Sequence, residues 1–149
     1  MQRRRSLLVR LANQPPARRN LIFEALWCLI WARVLLLLVP FRWLTPLFNR
    51  GTLSAATPES LKRQGLRAEV RWAIEAVAAH LPGVTACFPR AIAAQRMCLR
   101  RGIGAVLYYG AAPLPGKGLS AHVWVLDDNE GVIGHQISNG YRVIARFPG

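Results

Sequence analysis

Hydrophobic residues are spaced in three ways along this chain, and each spacing predicts a different element. Residues 21–48 are apolar almost throughout, interrupted by Glu24, Arg33, Pro40 and Arg42. A membrane span needs about 20 mostly apolar residues. The charge-free pieces, 25–32 and 34–41, are each too short to cross alone, and a signal peptide would lack those charges and carry its cleavage site close behind. The stretch therefore reads as a buried or interfacial helix hairpin turning near residues 40–46. Thr57-Pro58-Glu59 then marks a helix start: a capping hydroxyl, a first-turn proline and an early acid. Val70, Ile74, Val77 and Leu81 make its apolar stripe, with Arg67, Arg71 and Glu75 off it, and Pro82-Gly83 end it. His80 sits in the last turn, where the dipole favours a cation, and takes a structural role.

A second helix begins at Cys87. Pro89 suits its first turn, because a fixed φ is preset for helix and the missing N–H has no partner there. Ile92, Gln95, Cys98 and Leu99 follow at helical spacing, Arg96, Arg100 and Arg101 crowd the far end, and Gly102 supplies the stop. Beyond it the period changes. Strands are expected at 103–110, 120–126, 132–137 and 141–147, with a turn at 127–131 and a flexible loop at 111–119, rich in Pro and Gly. The expected class is α+β: N-terminal helices, then a cysteine-bearing helix packed on a small antiparallel sheet. The whole, 1–149, reads as one domain, with 1–56 a basic and apolar helical N-terminal extension.

Charge changes the picture most at the N-terminus. Twenty basic residues against seven acidic ones give a net charge of +13, which favours an anionic partner: nucleic acid, a membrane surface or an acidic peptide. Residues 1–19 carry Arg3, Arg4, Arg5, Arg10, Arg18 and Arg19, with Leu7, Leu8 and Leu11 hinting at a short amphipathic helix before Pro15-Pro16. This arm is either solvated or in contact with anionic lipid or peptide. An almost uniformly apolar helix in so small a chain makes contact with a membrane or a partner protein a serious alternative to burial. The three cysteines, Cys28, Cys87 and Cys98, form no C-x-x-C and no metal-like pairing with His80, His122 and His135. No disulfide, metal or cofactor is expected, and a reducing cytoplasm suits the chain, with membrane association left open. Cys28 and Cys98 fall in apolar helical patterns and read as packing residues.

Cys87 is different, because a thiol at a helix N-terminus faces unpaired N–H groups and the positive end of the dipole. A cysteine nucleophile needs a base within hydrogen-bond reach, and the base needs an orienting group on its other nitrogen. His122, between Ala121 and Val123 in a strand, is the natural base. If 127–131 turns a hairpin, its partner on the next strand falls near Gln136 or His135. Gln136 comes first, as an amide that accepts the imidazole N–H, and His135 second. Asp127 and Asp128 read as turn formers.

The order Thr85-x-Cys87-x-Pro89-Arg90-Ala91, then a helix ending in Arg-Arg-Gly-Ile, then Ala121-His122-Val123-Trp124-Val125, resembles the transglutaminase-like cysteine peptidases of lasso peptide biosynthesis over nearly the whole chain. The resemblance implies a transglutaminase/papain-like core and a leader peptidase, with Cys87 as nucleophile and His122 as base. The third member is an acid in many relatives, and none stands at the matching place here. The implied partners are a precursor peptide substrate, a separate leader-recognition protein and a lasso cyclase. Rival readings are another thiol acyl-transfer enzyme (a transglutaminase or amidase) and a non-enzymatic membrane-surface or scaffold protein. Nucleic acid is not an expected partner, since no helix-turn-helix spacing or aromatic–basic platform accompanies the charge.

Overall fold

A computed structural model describes residues 14–40, 43, 60–81, 86–116 and 118–148. Three long helices, α1 (Pro16–Leu38), α2 (Ser60–Ala78) and α3 (Cys87–Leu99), precede four strands. These are β1 (Val106–Leu114), β2 (Gly118–Asp127), β3 (Glu130–Ile133) and β4 (Arg142–Pro148), with a 3₁₀ turn at His135–Ile137 before β4. The sheet is antiparallel throughout, in the order β3-β2-β1-β4. The class is α+β, with the cysteine-bearing helix on the sheet.

Helix α3 is the centre of the packing, and small residues make that geometry available. Ala91, Ala93 and Ala94 are fully buried beside Ile92, Met97 and Cys98, so neighbouring backbones approach closely. Helix α1 contributes Leu21, Ala25, Cys28, Leu29 and Ala32 to the same core, α2 contributes Val70, Ala73, Ile74 and Val77, and the sheet contributes Leu107, Val123, Val125, Val132 and Phe147. Gln95, buried among them, donates through Nε2 to the carbonyls of Ala105 (3.2 Å) and Phe147 (2.7 Å), so its polar group is satisfied while it ties α3 to the start of β1 and the adjacent end of β4. Gly102 ends α3 at φ 71, with Ile103 N–H bonded to Cys98 O and Gly102 N–H to Leu99 O. These are the paired bonds of a Schellman motif, which a left-handed glycine makes cheap.

Helix α1, the first arm of the expected hairpin, runs without a break through Glu24 and Arg33. The Glu24 charge is absorbed by the domain. Arg101 forks onto its carboxylate at 2.6 and 3.1 Å, and Arg100 lies at 3.4 Å. The Arg101 hydrogen bond holds the Glu24 carboxyl below its usual range. A lowered folded-state value contributes stability above the ordinary glutamate pKa of about 4.3 and loses it as pH falls through the lowered value. Glu24→Gln should therefore melt lower than the unaltered chain at neutral pH, by about 1 kcal/mol in this partly exposed pair. Thermal melts across the acid range should show the difference closing. The second arm of the expected hairpin, the Thr57-Pro58-Glu59 start signal and Pro82-Gly83 lie outside the described residues. His80 lies just past α2 with its Nδ1 2.7 Å from Ala76 O.

The strands depart from expectation in three places, the first being that β1 starts at Val106 rather than 103. Residues 111–114, read as loop, continue β1, and β2 starts at Gly118, so the β1–β2 hairpin is longer. Strand β4 pairs with β1 only from Val106 to Ala111. Pro113 thus stands on an open edge, where a missing N–H is tolerated. Strand β3 ends at Ile133 rather than 137, because Gly134 (φ 74) turns the chain into the 3₁₀ segment. The β2–β3 connection is tight: Asp128 (φ 48) and Asn129 (φ 69) both take the left-handed conformation that a two-residue type I′ turn needs.

Candidate active site

The N-terminus of α3 places Cys87. Its preceding residue, Ala86, is extended and offers no side-chain cap, and Phe88 packs its ring 6.1 Å from that of Tyr109, anchoring the first turn to β1. Of the three thiols, Cys28 and Cys98 are fully buried and Cys87 is half-buried. Burial pushes the Cys28 thiol up, and pushes Cys98 up to about 12. Both are therefore inert packing groups, and Cys87 is the thiol that solvent and a substrate can reach.

Strand β2 places His122. Its ring is tilted against Tyr141 (centroids 5.3 Å apart) and stacked near Trp124 (5.9 Å), which in turn stacks on Tyr108 across the strand pair. Tyr141 is itself fixed by a 3.0 Å hydrogen bond between its hydroxyl and Ser120. His122 Nε2 lies 2.7 Å from the backbone carbonyl of Gly134. A carbonyl only accepts, so Nε2 carries the proton and Nδ1 is the basic nitrogen of the neutral ring.

Cys87 and His122 line one cavity of about 300 Å³, together with Glu75, Arg90, Gly134 and Gln136. Arg90's own Nε is buried without a hydrogen-bond partner. A larger cavity of about 380 Å³ opens beside Arg63 and Arg67, but neither thiol nor imidazole reaches it. Among the described residues no three His, Cys, Asp or Glu side chains gather as a metal site requires.

A sequence profile of the transglutaminase-like superfamily matches residues 31–146. The chain belongs to the transglutaminase-like superfamily. No curated relative and no solved structure matches it. The superfamily match runs from within α1 into β4 and so takes in every wall of the cavity. Thiol-based acyl chemistry is common in that superfamily, and the cavity offers this chain a thiol and an imidazole for it.

The group that meets His122 Nε2 is the Gly134 backbone carbonyl. Neither Gln136 nor His135 is the partner of His122 Nε2. Extending the β2–β3 register would have set Gln136 opposite His122, but β3 stops at Ile133 and Gly134 swings the chain inward. Gln136 is exposed at the rim of the cavity. His135 turns away and lays its ring over Gly131, where an added Cβ would stand 2.0 Å from its Nδ1. Its buried Nδ1 has no hydrogen-bond partner. The Gly134 carbonyl was illegible in the sequence because a backbone group has no side-chain signature; the nearest signal was a glycine at the strand end. Gly134→Ala tests it. The left-handed φ strains alanine by about 1 kcal/mol, and its Cβ would meet Val123 O at 2.9 Å and His122 Nε2 at 3.4 Å. Turnover should fall roughly 10-fold or more as the imidazole loses its orientation, while far-UV circular dichroism stays unchanged.

Proposed function

We propose that this superfamily member is a cysteine endopeptidase that removes the leader from a ribosomally made lasso precursor peptide. The observation that carries the reading is the shared cavity. One reachable thiol at a helix start and one imidazole, its Nε2 held by a backbone carbonyl, face the same space. The C-x-P-R-A and A-H-x-W motifs that hold both residues add the resemblance to lasso leader peptidases.

In this mechanism His122 Nδ1 takes the Cys87 proton, and the sulfur attacks the scissile carbonyl at the leader–core junction. The Cys87 N–H, at the uncapped helix start, donates to the developing oxyanion. As the C–N bond breaks, the imidazolium returns its proton to the departing amine, which becomes the N-terminus of the core. Water, deprotonated by Nδ1, then opens the thioester and releases the leader as a carboxylate. A separate recognition protein would bind the leader and deliver it, and a cyclase would close the ring on the freed amine.

The test is an in vitro reaction of the full chain with a candidate precursor and its recognition protein, read by mass spectrometry. The peptidase reading expects a free core and a leader one water heavier than its acyl residue. A leader bearing an added amine instead would assign the chain to the transglutaminase branch of the same chemistry. Intact precursor after exhaustive incubation, with recognition protein present, would reject the reading.

A further inference from the structure

Helix α1 is apolar on two opposite sides, and the domain uses only one of them. At 3.6 residues per turn, Leu21, Ala25, Cys28, Leu29 and Ala32 share the face buried against α2 and α3. Phe23, Trp27, Ile30, Val34, Leu37 and Leu38 share the opposite face, and all six are exposed, Trp27 by 66 % and Leu37 and Leu38 by 75 %. A soluble amphipathic helix would carry polar residues there. A contiguous apolar stripe of this kind marks a contact surface.

Charge decides the kind of surface. Arg19 stands at the N-terminal end of the stripe and Arg33 on its flank. The one acid of α1, Glu24, is spent on Arg100 and Arg101. Two more of the seven acids, Asp127 and Asp128, are engaged by Arg63 and Arg67. The chain carries a net +13, and four further arginines precede α1 in the sequence. Trp43, 65 % exposed, follows the helix with the amphipathic ring favoured at headgroup depth. Bulky apolar groups on one side of a helix, arginines around them and no free carboxylate on that helix describe an element that lies in an anionic bilayer interface.

By length and composition α1 is long enough to cross a bilayer. Crossing would withdraw five fully or nearly buried residues from the core that seats α3, whereas lying flat leaves that core intact. We infer that α1 is an in-plane anchor that holds this domain on an anionic lipid surface, with Phe23, Trp27, Val34 and Leu37 inserted and arginines on the headgroups. The inference is independent of the reaction catalysed.

The full chain should co-sediment with vesicles of phosphatidylcholine and phosphatidylglycerol, bind phosphatidylcholine alone far more weakly, and come off in alkaline carbonate. The double substitution Trp27→Glu and Leu37→Glu, both on the exposed face, should weaken binding to the anionic vesicles roughly 100-fold with the circular dichroism spectrum unchanged. Wild-type protein left in the supernatant with both vesicle types would overturn the inference, as would a double variant that binds like wild type. Resistance to carbonate would overturn it in favour of a spanning helix. Failure on vesicles combined with a recognition-protein complex lost in the double variant would assign the face to a protein partner.

Discussion

Replacing Cys87 by alanine should abolish precursor cleavage, by roughly 10⁴-fold or more, while leaving the melting temperature nearly unchanged. The large effect on rate follows from chemistry: without the sulfur no acyl-enzyme forms, and water alone is a poor nucleophile toward an amide. The small effect on stability follows from position. Cys87 is half-buried at the first residue of α3, alanine is a good helix former, and no cavity of consequence opens. A cleavage assay paired with a thermal melt checks both halves. Activity retained in Cys87→Ala would return the chain to the scaffold reading, in which neither Cys87 nor His122 matters.

The largest stability effect should come from a residue away from the thiol. Asp127 is completely buried at the end of β2, ion-paired to Arg63 and, at 2.9 Å, to Arg67. Arg71, one further turn along α2, donates to the carbonyls of Val132 (2.7 Å) and Gly131. Three arginines at four-residue spacing thus clamp one helix face to the β2–β3 hairpin, which carries His122 and leads into Gly134. Asp127→Ala leaves the mostly buried Arg67 guanidinium without a carboxylate and Arg63 with Asp128 alone, and should cost about 3 kcal/mol, roughly 10 °C of melting temperature in a domain this size. Asp128→Ala is the control: its carboxylate is 75 % exposed, so its pairing with Arg63 at 2.9 Å should be worth about 1 kcal/mol or less. Equal melting temperatures for the two variants would contradict the clamp.

Much of this architecture was legible in the sequence. The cysteine-headed helix, its Gly102 stop, the class of fold and the hairpin turn at 127–131 all follow from spacing and turn chemistry. What was missed shares one cause: tertiary partners that periodicity cannot see. Asp127 read as a turn former, because nothing local announces two arginines from a helix 60 residues earlier. Glu24 counted only as a break in the charge-free apolar run, because its neutralising Arg101 stands 77 positions later. Residues 111–114 read as loop from their composition, and became strand because β2 pairs with them on one side while the other stays open for Pro113. At the site, side-chain reasoning brought Cys87 and His122 forward and sought another side chain beside the imidazole, where the structure sets the backbone carbonyl of a left-handed glycine against Nε2. Arg90, in the C-x-P-R-A motif, had no role read from the sequence, and its place in the cavity wall and its buried, unpartnered Nε are features only coordinates reveal.

The coupling of thiol to imidazole can be measured without any substrate. Iodoacetamide added to the native chain, with modification mapped by peptide mass spectrometry, should alkylate Cys87 and spare Cys28 and Cys98. In His122→Gln the alkylation of Cys87 near neutral pH should slow by roughly 10-fold or more, since the thiolate loses the base that accepts its proton. Cys87 labelled at the wild-type rate in His122→Gln, or no faster than the two buried cysteines in the native chain, would contradict the account.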